Sequence, residues 1–353
     1  MFKSISINNF RAITNLEIDN FGQVNLLVGN NNCGKTTVLE ALFLLIGATN
    51  PQLPLTINGL RGLSFIHREL WPTFFRNMDV SLPIEIAGKI HGTDEEHMLV
   101  VHPRLEKQIE TKPVEGTSDI QSLRIENSET LQANPPNGLK LAYSNSELPE
   151  RNNESEIFEK DDKVVLNGKK DTPFQGILIS PTQAFDWKAR FAPAQRKKLV
   201  MEIVSLLQEI DPNIADLRLN EIGLLEADIG LPRLIPINLM GGGIAKCLTI
   251  SLAILDYQNG VVFIDEFENG LHHSVQQALW KAVFSWAQKL NIQVFATTHS
   301  YECVKAFSNS ISASLFDAEA KLFRIERKEE EFRAVELTKE VLAEALDSNW
   351  EIR

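Results

Sequence analysis

The stretch from Val24 to Gly47, VNLLVGNNNCGKTTVLEALFLLIG, decides the fold. Val24 to Val28 is an apolar run of strand length, which predicts a buried strand. Val38, Leu39, Leu42, Phe43 and Leu45 then recur at helical spacing, with Gly47 as a stop. Between them, Gly29-x-x-x-x-Gly34-Lys35-Thr36 fits the phosphate-loop pattern in the strand, loop and helix setting that the pattern requires. Glycine permits the backbone angles that turn the N–H groups of Asn31, Asn32, Cys33, Gly34, Lys35 and Thr36 inward on a phosphate, and the helix N-terminus adds partial positive charge. Gly29, Asn30 and Thr37 flank this cradle and are counted with it. Lys35 is placed to reach the β- and γ-phosphates, and the Thr36 hydroxyl to bind Mg2+.

Upstream, FKSISINNFRAITNLEI alternates apolar and polar residues in two runs, which predicts an antiparallel strand pair leading into the buried strand. Downstream, Val80 to Asp171 breaks into short alternating segments such as VSLPIEIAGKI and HMLVVHP. Polar, Pro- and Asn-rich stretches separate them, and the reading is a strand-rich region with long exposed loops. GILISPTQAFD reads as a strand and loop. AQRKKLVMEIVSLLQEIDPNI reads as one amphipathic helix, with Leu199, Ile203, Leu206, Leu207 and Ile210 on one face and Asp211-Pro212 as its end. Weak strands between Ile214 and Leu234 precede the cluster Leu239-Met240-Gly241-Gly242-Gly243 and an apolar helix. GVVFIDEFENGLH, SVQQALWKAVFSWAQKL and IQVFATTHS then give strand, helix and strand. This alternation implies a parallel sheet with covered faces in an α/β fold, and the closing segment reads as a hairpin followed by a short helix.

A phosphate loop needs a second strand that delivers carboxylates. Val261 to Ile264 ends in Asp265 and Glu266, at the strand end where open α/β sheets bind ligands. Asp265 is the candidate for holding Mg2+, directly or through water, and Glu266 for orienting or deprotonating the attacking water. His299 emerges at the end of the next strand, where an imidazole can sense or stabilise a γ-phosphate. The three glycines before the apolar helix either present N–H groups to a phosphate or form a flexible turn.

The bulk composition bounds the rest. With 353 residues and 43% apolar content, the chain can build one large core or two smaller ones. A net charge of -12 argues against a surface devoted to anions. Cys33, Cys247 and Cys303 lie far apart, as expected for reduced thiols and not for a disulfide frame or zinc site. There is no apolar N-terminal leader and no run approaching the roughly 20 residues of a membrane span, so a cytosolic chain with no membrane partner is expected.

The order of phosphate loop, long insertion, LMGGG helix, VVFIDEFENGLH and FATTHS resembles an ABC-type ATPase head of the RecF, SMC and overcoming-lysogenisation-defect group. Among these it is most similar to prokaryotic stand-alone AAA-type ATP/GTP phosphatases. The likeness runs from SISINNFRAITNLEI to WEIR. It implies a single head over 1–353: a first lobe of about 1–90 with core strands returning at 260–353, a strand-rich polar insertion of about 80–175, and a signature lobe of about 185–260. It also implies a head-to-head homodimer with ATP and Mg2+ between the phosphate loop of one copy and the glycine signature of the other. Gly241 and Gly243 would be the foremost trans contacts, with Gly242 between them.

Matched residue by residue, the resemblance makes Lys35 and Thr36 the phosphate and Mg2+ ligands, Asp265 the metal-site acid, Glu266 the catalytic base and His299 the switch histidine. It makes Arg11 an arginine near the nucleotide, Gln183 the metal-sensing glutamine, and Asn269, Gly270, Leu271 and His272 the dimer-facing loop. There are departures. Met240 stands where transporter heads have Ser, which implies slow hydrolysis; no heptad run exists for a coiled-coil arm; and the roughly 50 residues after His299 are too few for a Toprim nuclease. The expectation is therefore an ATPase that drives a separate effector, a nuclease or toxin in phage defence or DNA maintenance. The alternative is a RecF-like, ATP-dependent DNA clamp whose duplex contacts come from Arg190, Arg196, Lys197 and Lys198.

Overall fold

The computed structural model describes residues 1–63, 68–93, 95–105, 136–161, 163–168, 172–181, 185–312 and 320–347. The N-terminal alternation folds as read. β1 (Phe2–Phe10) pairs antiparallel with β2 (Ile13–Ile18) in a register that sets Ile5 opposite Ile18 and Ile7 opposite Leu16, so one apolar face is buried. β3 (Val24–Val28) is buried throughout, and the loop after it opens α1 (Lys35–Ile46). From Thr37 to Ile46 that helix is buried, as its all-round apolar sequence requires. It lies between two sheets and packs on strands of both. α2 (Leu53–Leu60) follows.

The strand-rich stretch does not stand apart. β4 (Ile84–Ile90) pairs antiparallel with β1, and β5 (Glu96–Arg104), β6 (Gly138–Asn145), β7 (Asn153–Lys160) and β8 (Lys163–Asn167) extend the sheet. The result is a seven-stranded antiparallel sheet in the order β2-β1-β4-β5-β6-β7-β8. The polar segment 106–135, where the sequence reading puts part of its exposed loops, lies outside the described residues.

β9 (Gly176–Ile179) begins the second half. The single helix expected over AQRKKLVMEIVSLLQEI is in fact two, α3 (Trp187–Arg196) and α4 (Val200–Gln208). The break is a left-handed helix stop: Lys198 has φ 59°, its N–H donates to the Gln195 carbonyl, and the Leu199 N–H donates to the Ala194 carbonyl. A lysine fills the place usually taken by glycine, so helical spacing carried no sign of it.

β10 (Asp216–Leu219), β11 (Leu225–Asp228) and β12 (Ile235–Pro236) form a three-stranded sheet before α5 (Gly242–Asp256). Next come β13 (Val261–Ile264), α6 (His273–Leu290), β14 (Gln293–Thr297), α7 (Tyr301–Ser312), the hairpin β15 (Ala320–Lys328) and β16 (Glu331–Leu337), and α8 (Lys339–Asp347). The core sheet runs β16-β15-β3-β14-β13-β9, parallel except for β16. The closing hairpin is thus part of the core, with β15 directly beside the phosphate-loop strand. On the other side of β3, β14 and then β13 deliver their carboxyl ends to the same edge.

Candidate active site

Two glycines shape the phosphate loop. Gly29 has φ 143°, and a Cβ there would stand 2.4 Å from the Ile325 carbonyl oxygen. Gly34, with φ 101°, caps α1. From the first turn of α1, Lys35 folds back so that Nζ donates to the carbonyls of Gly29 (2.7 Å) and Asn30 (2.9 Å). The ammonium is thereby held at the loop and borders a cleft of about 870 Å³.

Asp265, directly after β13, is buried at the floor of this cleft. Its two carboxylate oxygens lie 3.0 and 3.1 Å from the Thr36 hydroxyl. Thr297, the last residue of β14, donates from its hydroxyl to Asp265 (2.6 Å) and accepts from the Glu266 N–H (2.9 Å), so one side chain places both acids. Glu266 has φ 49°, a left-handed conformation that costs a non-glycine residue on the order of 1–3 kcal/mol and needs support from its surroundings. The support includes Lys246 of α5, whose Nζ donates to the Glu266 carbonyl (3.3 Å), and Asn269, whose amide donates to the Glu266 carboxylate (3.0 Å). Burial lowers the Lys246 ammonium below the ordinary lysine range, against the opposing pull of Asp265, Glu268 and Glu266.

His299 lies on the rim with its ring half exposed. The Glu268 carboxylate accepts from its backbone N–H (2.9 Å) and stands 3.1 Å from Nδ1, which orients the ring. Arg11 also borders the cleft, tied to a buried carboxylate: Glu40 of α1 pairs with Arg11 Nε at 2.8 Å and accepts from Arg61 at 2.6 and 3.0 Å. The Arg11 guanidinium lies over the Phe74 ring at 5.1 Å.

The glycine signature is elsewhere. Gly241 and Gly242 are exposed at the start of α5 and do not border the cleft, while Gly243 lies against the backbone of Gly270, where a Cβ would stand 3.3 Å from the carbonyl oxygen. Gln183 lies outside the described residues. Of the basic run considered for DNA, Arg190 is paired to Asp256 (2.6 Å), while Lys197, which donates to the Leu255 carbonyl (3.2 Å), is exposed along with Arg196 and Lys198.

The donors suit a hard divalent ion. A hydroxyl and a carboxylate converge at Thr36 and Asp265, and Mg2+ favours one or two such protein oxygens completed by phosphate and water. Among the described residues no cluster of three or more His, Cys, Asp or Glu forms an all-protein cage. Glu40, Arg61, Lys246, Glu268, Thr297 and Arg327, which also borders the cleft, escaped the sequence reading. Glu40 alone carried a usable sign, a carboxylate inside the apolar run VLEALFLLI that must be paired if buried.

A phosphate loop on a central parallel strand, with carboxylates and a histidine delivered by the neighbouring strands, defines a P-loop ATPase head of the ABC type. The chain belongs to the family described as "AAA domain, putative AbiEii toxin, Type IV TA system", whose profile matches residues 24–304. It is 26% identical to an ATP/GTP phosphatase of Helicobacter pylori over 94% of either chain. Its fold is similar to that of an Smc head bound to the C-winged helix domain of ScpA, at TM-score 0.52 and 10% identity over 96% of this chain and 98% of that one. It is also similar to an Smc head with an extended coiled coil, bound to the C-terminal domain of ScpA from Pyrococcus furiosus, at TM-score 0.52 and 11% identity over 99% of either chain. The chain is an ATPase. Among the described residues no helix is long and apolar enough to cross a membrane.

Proposed function

We propose that two copies of this ATPase close head to head on ATP and Mg2+ and reopen after hydrolysis, driving a separate partner protein. The observation that supports this most is the displacement of the glycine signature. Gly241 and Gly242 sit exposed at a helix N-terminus, outside the cleft that gathers Lys35, Thr36, Asp265, Glu266 and His299. A second copy would bring those N–H groups onto the γ-phosphate. The loop with Asn269 and Gly270, packed on Gly243 and bonded to Glu266, would carry the closure to the acids.

In this reading Lys35 holds the β- and γ-phosphates, and Thr36 and Asp265 hold the ion, whose contribution is charge neutralisation on the phosphates. Glu266 accepts a proton from the attacking water as its oxygen bonds to phosphorus and the bond to the bridging oxygen breaks, releasing ADP and phosphate. His299, steadied by Glu268, donates to the transferred phosphoryl group. The partner is a nuclease or toxin of phage defence or DNA maintenance, and the working compartment is the cytoplasm. The pairing of Arg190 with Asp256 within the chain weighs against the DNA-clamp alternative.

Light scattering of Glu266→Gln with and without ATP and Mg2+ tests the proposal, beside phosphate release by the wild type. Doubling of mass with ATP is expected. A mass that ignores ATP while Gly241→Asp and Gly243→Asp leave turnover intact would rule the trans site out.

A further inference from the structure

We propose that Arg327, on the C-terminal hairpin, is the platform on which the base of the bound nucleoside triphosphate stacks, and that it selects purines as a class. The inference rests on the phosphate-loop reading and extends it to the end of the cleft that no motif marks. Sheet order fixes the direction. β14 and β13 carry Thr297 and the acids on one flank of β3, and β15 lies on the other. A triphosphate with its γ end at Asp265 and Glu266 therefore runs along the loop and leaves on the hairpin side.

That side is built as a receptacle. A Cβ at Gly34 would stand 3.4 Å from Phe332 Cε1 and 3.6 Å from Ile13, so the hairpin and the start of β2 close directly on the loop. The Arg327 guanidinium lies over the Phe332 ring at 5.3 Å, and its Nε donates to the Glu329 carbonyl (3.0 Å). Arg327 borders both the cleft and an adjoining groove of about 550 Å³. Asn77 and Met78 border the same cleft with φ 53° and 61°, and the Met78 side chain is 65% exposed. Their segment is fixed to the hairpin turn by the Arg76–Glu330 ion pair at 2.7 Å. A planar cation backed by an aromatic ring, on a cleft that an exposed thioether also borders, matches a flat heterocycle. Stacking accepts any large base face, so adenine and guanine should be held alike and pyrimidines less well.

Isothermal titration with ATP, GTP, CTP and inorganic tripolyphosphate, each with Mg2+, tests this on wild type, Arg327→Ala and Arg327→Lys. Arg327→Ala should weaken ATP and GTP about tenfold while tripolyphosphate changes by less than about twofold. Arg327→Lys should not restore the purines, because it returns the charge without the plane. Equal ATP affinity in wild type and Arg327→Ala overturns the inference. So does a parallel loss of tripolyphosphate, which would place Arg327 on phosphates, or full rescue by lysine. Wild type that binds neither ATP nor tripolyphosphate would instead sink the phosphate-loop reading itself, and this inference with it. Arg327 is exposed, so unchanged thermal unfolding should accompany both variants.

Discussion

In the proposed function, Lys35 and Glu266 separate binding from chemistry. The Lys35 ammonium rests on the loop's own carbonyls at 2.7 and 2.9 Å, so it is held at the phosphate loop. Glu266→Gln keeps the side-chain shape and the backbone support from Thr297 and Lys246. We expect kcat to fall by roughly 10²–10⁴-fold with ATP affinity little changed, measured by phosphate release and equilibrium titration. Lys35→Ala should lose ATP affinity, and retained tight binding would contradict the loop's role. In the proposed function Glu268 acts one step removed, through His299, which it contacts at both the backbone N–H and Nδ1. If it only orients the ring, Glu268→Gln should lower kcat less than His299→Ala does and leave KM unchanged.

At the level of elements, the acidic strand end depends on what lies behind it. Phe267, two residues beyond Asp265, stacks on Trp280 of α6 with ring centroids 3.8 Å apart, and Trp280 meets Phe307 of α7 edge-on at 4.9 Å. Truncating this fully buried indole removes the packing under the loop that carries Glu266 and Glu268. Trp280→Ala should destabilise the fold by about 3–5 kcal/mol in denaturant unfolding. A loss under about 1 kcal/mol would mean that the loop is held without α6. The break between α3 and α4 belongs to this scale too. Lys198 occupies a left-handed position, and Lys198→Gly should stabilise slightly or leave stability unchanged, whereas glycine in a continuous helix would cost about 1 kcal/mol.

For the whole molecule, two buried thiols set a pH response. Burial pushes Cys247 and Cys303 up to about 12 from an ordinary 9.0. Between those values the unfolded thiols ionise while the folded ones keep their protons, so the folded state binds more protons and stability falls as pH rises through this window. Unfolding midpoints from pH 8 to 11 should drop more steeply for wild type than for a Cys247→Ala, Cys303→Ala pair; parallel slopes would refute it. Both thiols should also resist alkylation at neutral pH until the chain is unfolded.

What the chain determined by itself is what depends on local spacing. Gly29, Gly34, Lys35 and Thr36 span one turn of chain, Asp265 and Glu266 close one apolar run, and His299 closes the next. Short-range pattern therefore marked the loop, the candidate acids and the parallel core, and the ATPase class came from the family resemblance those motifs carry. Tertiary structure alone decided which strands are neighbours. It put β15 beside β3, joined β4 to β1, paired Glu40 with Arg11 and Arg61, and brought Arg327 to a cleft almost 300 residues away in sequence from the loop it borders. Those contacts follow from burying separate apolar faces against one another. Such burial is non-directional along the chain and leaves no fixed spacing to read.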